Sequence, residues 1–249
     1  MLTAIAAASL LASPLSARAE GGDGAAPYLA PAPPASLPDA AGAGAAGAAA
    51  DPEQAVASAS AWAQPELLQA IRAGIATDAS LDLFAQPISR ERFAGLAVRL
   101  YEALGGAPSD PPASPEAGPF ADTNSPEVLR AYRLGIVSGI TTDAFAPNAA
   151  ITREELAVML LRAVKAARPD AAVGNREPVP AFADEDEIGA WAKDALRFAV
   201  RLGVLKGVGD NRFDPQGFTT HEQAIAAAYR TFAALRDATG AAASDEAPH

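Results

Sequence analysis

The sequence contains no cysteine, which excludes disulfides and thiolate metal sites. It contains two histidines, His221 and the terminal His249. A zinc cluster or a Ser-His-Asp triad lacks the imidazoles it needs. Cations are scarce: 19 Lys and Arg stand against 30 Asp and Glu, a net charge of −11. That argues against a nucleic-acid partner, which requires a basic footprint. The acidic run Asp184-Glu185-Asp186-Glu187 lacks the alternating ligand spacing and central glycine of a calcium loop. No metal site and no cofactor are expected. No segment approaches the roughly 20 apolar residues of a membrane span, so none is expected. Tryptophan occurs twice, at Trp62 and Trp191.

The amino terminus has an apolar run, Leu2 to Leu11, followed by Ala17-Arg18-Ala19. This has the form of a secretory signal peptide over residues 1–19. Residues 20–55 are rich in Ala, Gly and Pro, too poor in apolar mass to offset the entropy of ordering, and read as a disordered linker. Two further Pro/Gly-rich spacers cover 105–119 and 168–180, and a small, polar, disordered tail is expected over 237–249.

Between the spacers the chain repeats itself over 56–104, 120–167 and 181–236. A Gly-aliphatic pair recurs as Gly74-Ile75, Gly135-Ile136 and Gly203-Val204. A Phe followed by Pro recurs as Phe84/Pro87, Phe145/Pro147 and Phe213/Pro215. A helix start recurs as Ile88-Ser89-Arg90-Glu91, Ile151-Thr152-Arg153-Glu154 and Thr219-Thr220-His221-Glu222. Each copy predicts a short helix ended by its glycine, a turn carrying a buried Phe, and a longer helix. The short helices are expected over Pro65 to Ala73, Pro126 to Leu134 and about Asp186 to Leu202. One such helical pair buries too little apolar surface to stand alone, so three are expected to pack around a shared axis.

The long-helix starts pose a problem. Thr152 and Glu155 fit a capping box, which makes Arg153 the first helical residue. An exposed cation there opposes the helix dipole by roughly 0.3–1 kcal/mol. An anion would remove the conflict, because a helix mouth with free N–H groups and an arginine fork suits a carboxylate.

The residues resemble the S-layer homology family. The third copy carries Phe182-Ala-Asp184, Trp191-Ala192, Gly203-Val204-Leu-Lys-Gly207 and Asp210-Asn-Arg-Phe213-Asp-Pro215. The second carries Phe120-Ala-Asp122, Gly135-Ile136-Val-Ser-Gly139, Phe145-Ala-Pro147 and Ile151-Thr-Arg153-Glu. The first carries Trp62-Ala63, Gly74-Ile75, Phe84 and Ile88-Ser-Arg90-Glu. The resemblance implies a mainly α fold of three helix–loop–helix repeats, arranged as a pseudo-threefold unit with very short extended segments. It implies a non-catalytic, secreted cell-surface protein bound non-covalently to the cell wall. The implied partner is a secondary cell-wall polysaccharide made anionic by pyruvyl ketals. The implied ligand contacts are Ser89, Arg90, Thr152, Arg153, His221, Trp62, Trp191, Gly139 and Gly207.

Several positions depart from the family pattern. The third copy has His221 in place of the arginine, and neutral His is a weaker carboxylate partner. The second has Thr123 in place of the tryptophan and a shortened first helix. The first lacks the Phe-x-Asp start and has Asp78 in place of the second glycine. The groove using Arg153 ranks first; its copy lacks the tryptophan, so the groove either borrows from a neighbouring repeat or binds weakly. Trp62 and Trp191 lie twelve residues before their glycines and suit either core packing or sugar stacking. Gly139 and Gly207 also suit plain backbone turns, and Asp122 and Asp184 suit caps or turns. The alternative function is a structural or protein-binding module whose repeats have lost sugar affinity. A glycosidase built on paired carboxylates is disfavoured, because the reading leaves no segment of catalytic-domain size. Self-association is left open.

Overall fold

The computed structural model describes residues 51–77, 80–108, 118–171 and 179–244, with side chains as far as 236. The expected signal peptide, most of the first linker and Asp78 lie outside the described residues. Among these residues the protein is helical, with α1 Pro52–Ala55, α2 Gln64–Arg72, α3 Arg90–Ala103, α4 Pro126–Arg133, α5 Arg153–Ala167, α6 Lys193–Arg201 and α7 His221–Ser244. Extended backbone is confined to isolated bridges.

Local chemistry sets the helix ends where the sequence places them. Ser89, Ser125 and Thr152 cap α3, α4 and α5 through their side-chain oxygens. Thr152 and Glu155 close the expected capping box. Thr220 and Gln223 exchange the same pair of bonds at the start of α7. Gly74, Gly135 and Gly203 follow the short helices with φ of 73°, 70° and 66°, the left-handed region that glycine enters without a Cβ penalty.

Three expected boundaries move. Residues 52–55, assigned to the linker, form α1 on the Asp51 cap. The third short helix begins at Lys193; residues Glu185–Glu187 form a single 3-10 turn, because the Asp184 carboxylate turns inward rather than capping. The tail expected to be disordered from 237 is helical through Ser244. The short helix of the second copy is shorter than that of the third by one residue, eight against nine.

Core packing runs between copies rather than within them. α4 packs on α3, α6 on α5, and α2 closes the circle on α7, while α3, α5 and α7 meet one another at the centre. A ring of backbone bonds marks the pseudo-threefold axis. Ile88 N–H donates to Thr219 O (2.9 Å), Thr219 N–H to Ile151 O (3.2 Å), and Ile151 N–H to Ile88 O (3.0 Å). The sequence pattern did not reveal that each short helix pairs with the long helix of the preceding copy. Phe84, Phe145 and Phe213 are buried beside this ring together with Phe93, Leu156, Leu160 and Ile225. Burying one such side chain stabilises the fold by roughly 1.5–3 kcal/mol.

Candidate functional site: the seams between copies

The mouths of the long helices are not open. Arg90 and Glu91 N–H donate to Ala149 O and Pro147 O; Arg153 and Glu154 N–H to Gly217 O and Pro215 O; His221 and Glu222 N–H to Gln86 O and Phe84 O. The next N–H in each goes to its cap hydroxyl. The free N–H groups expected at Arg153 are therefore absent. The carbonyls of the following copy fill the place foreseen for an anion, and Ser89 and Thr152 act as caps.

The side chains cross the same seams. Arg90 is buried, with Nε on Phe145 O (3.0 Å), Nη1 on Glu155 (2.7 Å) and Nη2 near Ser138 O (3.4 Å). Its guanidinium lies 4.9 Å from the Phe145 ring centre, a cation–π distance. Arg153 repeats the geometry, donating from Nε to Phe213 O (2.9 Å) and from Nη2 to Lys206 O (2.6 Å), 4.6 Å from the Phe213 ring centre. Burial pulls the Arg153 guanidinium below its usual pKa, against the pull of Asp214 and Asp184. His221 occupies the third seam, buried, with Nδ1 4.0 Å from Asp82 and without a hydrogen-bond partner. Burial and then Arg92 lower its pKa to about 4, with Asp82 opposing.

Two carboxylates in the repeated Arg/His-Glu pair do work that the sequence did not signal. Glu154 accepts from Gly189 N–H (2.9 Å) and Gln216 Nε2 (2.7 Å). Burial pushes its pKa up while those two donors pull it down. Glu222 accepts from Ser60 N–H (2.9 Å) and Ser60 Oγ (2.7 Å). Each bond fixes the turn two residues before a tryptophan. Trp191 and Trp62 are consequently held at equivalent places, 40% and 50% exposed, so neither is a core residue.

Asp184 and Asp122 clasp the buried Phe turns: Asp184 accepts from Phe213 and Asp214 N–H, and Asp122 from Phe145 and Ala146 N–H. Burial works to raise the Asp184 pKa, but the Phe213 and Asp214 amides and Arg212 bring it below the usual value. Gly139 and Gly207 are explained by packing. A Cβ on Gly139 would collide with the Thr141 and Ala144 carbonyls, and one on Gly207 would come within 2.8 Å of Arg212 O.

One seam opens into a groove that draws on all three copies. Arg90 comes from the first copy, Ser138, Glu155, Met159 and Arg162 from the second, and Trp191 from the third. The second copy, which lacks a tryptophan, thus receives one from its neighbour. Arg162 was not anticipated. It is half-buried, burial lowers its pKa, and its Nη1 lies 3.3 Å from Ser138 Oγ. Its signal was present, since an arginine stands nine residues after Arg90, Arg153 and His221 alike, at Arg99, Arg162 and Arg230. A second groove, lined by Thr77, Glu91, Arg92, Arg99 and Glu127, is the equivalent space beside α3.

Among the described residues, no helix is long and apolar enough to cross a membrane, and no group of three or more His, Asp or Glu could hold a metal ion.

The model of the S-layer homology domain matches residues 120–157 and 181–225. An endoglucanase of Bacillus sp. (strain KSM-635) is 31% identical over 165 residues, 65% of this chain and 17% of the relative. A cell surface protein of Thermoanaerobacter kivui is 28% identical over 43% of this chain and 14% of the relative. The surface-layer 125 kDa protein of Lysinibacillus sphaericus is 36% identical over 73 residues, 29% of this chain and 6% of the relative. The chain spans less than a fifth of the length of these relatives. The first copy lies outside the matched segments, yet it repeats their helix order, cap and seam bonds. The second and third copies thus match the S-layer homology domain, and the chain is similar to that family over them.

Proposed function

We propose that this protein is a non-catalytic cell-surface module that attaches to the bacterial cell wall by binding an anionic secondary polysaccharide. The S-layer homology match and the surface-protein relatives support wall association in general. The finer reading, a pyruvylated glycan, rests on one observation: the groove where Arg90, Ser138, Arg162 and Trp191 converge. It offers a guanidinium for a carboxylate and an aromatic face for a sugar ring. The local charge is positive although the chain is acidic. The matched lengths of the endoglucanase and an amylopullulanase of Thermoanaerobacterium thermosulfurigenes are 17% and 6% of those proteins. Such short shares suit an attachment module common to proteins of different activity. Arg153, Trp62 and His221 belong to the other two seams and are proposed as weaker contributors. Co-sedimentation with purified walls tests the reading. Binding is expected to intact walls and to be lost when the secondary polymer is stripped; binding that survives stripping favours the protein-contact alternative.

A further inference from the structure

The three seams share a backbone frame, but the residues that lock them are graded. Seven residues before the caps Ser89, Thr152 and Thr220 stand Asp82, Phe145 and Phe213. The next residue has a φ of 51°, 59° and 58° in turn, so these positions correspond in backbone. Between the first and second copies, Arg90 lies over the Phe145 ring and pairs with Glu155. Between the second and third, Arg153 lies over the Phe213 ring, and the residue equivalent to Glu155 is the uncharged Gln223. Between the third and first, both sides change. His221 replaces the arginine, Asp82 replaces the phenylalanine, and Arg92 stands in the place of Glu155. The locks therefore run from a cation with an acid, to a cation alone, to an imidazole beside a cation.

The His221 side chain is buried, and its Nδ1, 4.0 Å from Asp82, has no hydrogen-bond partner. Every acid that could compensate an imidazolium there is already engaged. Both Asp82 oxygens accept from Arg92, through Nη1 and Nη2. On α2, Glu66 accepts from Arg230. On α5, Glu155 accepts from Arg90, and Glu154 from Gly189 and Gln216. On α7 itself, Glu222 accepts from Ser60. A proton on His221 would thus place a second buried cation near Arg92 without solvation. The chain also runs from the first copy to the second and then the third, so the seam between the third and first joins copies that are not consecutive.

We propose that this seam is an acid-operated latch: protonation of His221 opens it, and the first copy separates from α7 while the other two seams stay closed. Opening breaks the Ile88–Thr219 bond of the axial ring and the His221 and Glu222 N–H bonds to Gln86 and Phe84. It also releases Ser60 from Glu222 and Glu66 from Arg230. His221 has a pKa of about 4 in the closed seam against an ordinary 6.5. The closed form is therefore favoured fully above about pH 6.5, and opening gains up to about tenfold for each pH unit lost between those values. The inference goes beyond the proposed function and does not depend on what the grooves bind.

Hydrogen exchange of the full chain, read amide by amide at about pH 6.5 and about pH 4.5 and corrected for intrinsic rates, tests it. Ile88, His221 and Glu222 N–H report the third seam; Ile151, Arg90 and Glu91 report the first; Thr219, Arg153 and Glu154 report the second. On acidification, protection in the third-seam set is expected to fall by about tenfold or more beyond the fall in the other two sets. His221→Arg combined with Arg92→Glu rebuilds the charges of the Arg90–Glu155 seam and is expected to abolish that excess. Should this double variant fail to fold, His221→Gln, which cannot take the proton, is expected to abolish it as well. Equal losses in all three sets mean that acid unfolds the whole chain, and overturn the inference. An excess that persists in either variant overturns it too.

Discussion

Arg90, the first residue of α3, forms a 2.7 Å ion pair with Glu155, the residue that closes the capping box of α5. Both side chains are more than nine-tenths buried. The pair therefore ties the start of one long helix to the start of the next, and it resolves the puzzle of a cation at a helix mouth. The dipole cost is offset by an acid from the adjacent copy, by the Phe145 carbonyl and by the Phe145 ring.

Removing one partner leaves the other charged and buried. Arg90→Ala is expected to destabilise the fold by roughly 3–5 kcal/mol. Arg90→Lys should rescue little, because an ammonium cannot reproduce the guanidinium fork. Urea unfolding followed by dichroism measures this, and a loss under about 1 kcal/mol would show that the pair contributes no more than a surface bridge.

The third seam should be acid-sensitive. His221 has a folded pKa of about 4 against an ordinary 6.5. Between those values the unfolded chain binds the proton that the folded chain refuses. Stability is therefore full above about pH 6.5 and falls as pH drops towards 4, at up to about 1.4 kcal/mol per pH unit. The groups facing the ring are Arg92, which opposes protonation, and Asp82, which favours it. His221→Gln should flatten the slope in that window. A melting temperature equally pH-dependent in wild type and variant would exclude His221 as the cause.

The Phe213 turn depends on Asp184, a buried carboxylate holding two backbone amides. Asp184→Ala strands both donors and is expected to cost about 1–3 kcal/mol. Because the folded pKa is depressed, this contribution is present above the usual aspartate value and lost as pH falls below it. The difference in unfolding free energy between wild type and variant should therefore shrink under acid, which paired titrations at neutral and low pH will read.

Much of this architecture is legible in the sequence because its causes are local. Thr152 and Glu155 write a capping box within four residues, and Gly135 ends a helix by its own φ. The seams are not local. Nothing near Arg153 says that Gly217 and Pro215, more than sixty residues away, will take the first N–H groups of its helix. Periodicity identifies an apolar stripe but not the copy it faces, so the pairing of α4 with α3 and α6 with α5 stayed hidden. Arg162 was missed for a related reason. It sits inside a helical stripe, and its recurrence at Arg99 gains meaning once the fold sets both arginines beside equivalent grooves. Ranking the Arg153 groove first requires an open helix mouth, and the mouth is closed by the Gly217 and Pro215 carbonyls.

The two tryptophans give a direct readout of which groove is used. Both are exposed at equivalent turns, so Trp62→Phe and Trp191→Phe should each shift stability by less than about 1 kcal/mol. They should part company in binding. Trp191 borders the groove of Arg162, whereas Trp62 precedes the helix whose Glu66 is already seated on Arg230. Sugar stacking on Trp191 changes the polarity around its indole. Adding soluble wall polysaccharide should alter the emission of Trp62→Phe, which retains Trp191, and leave that of Trp191→Phe nearly constant. Trp191→Ala should reduce wall sedimentation severalfold with helicity preserved. Equal responses from the two single-tryptophan variants would mean that Arg162 and Arg230 grooves are used alike, and that the Glu66 carboxylate yields to the ligand.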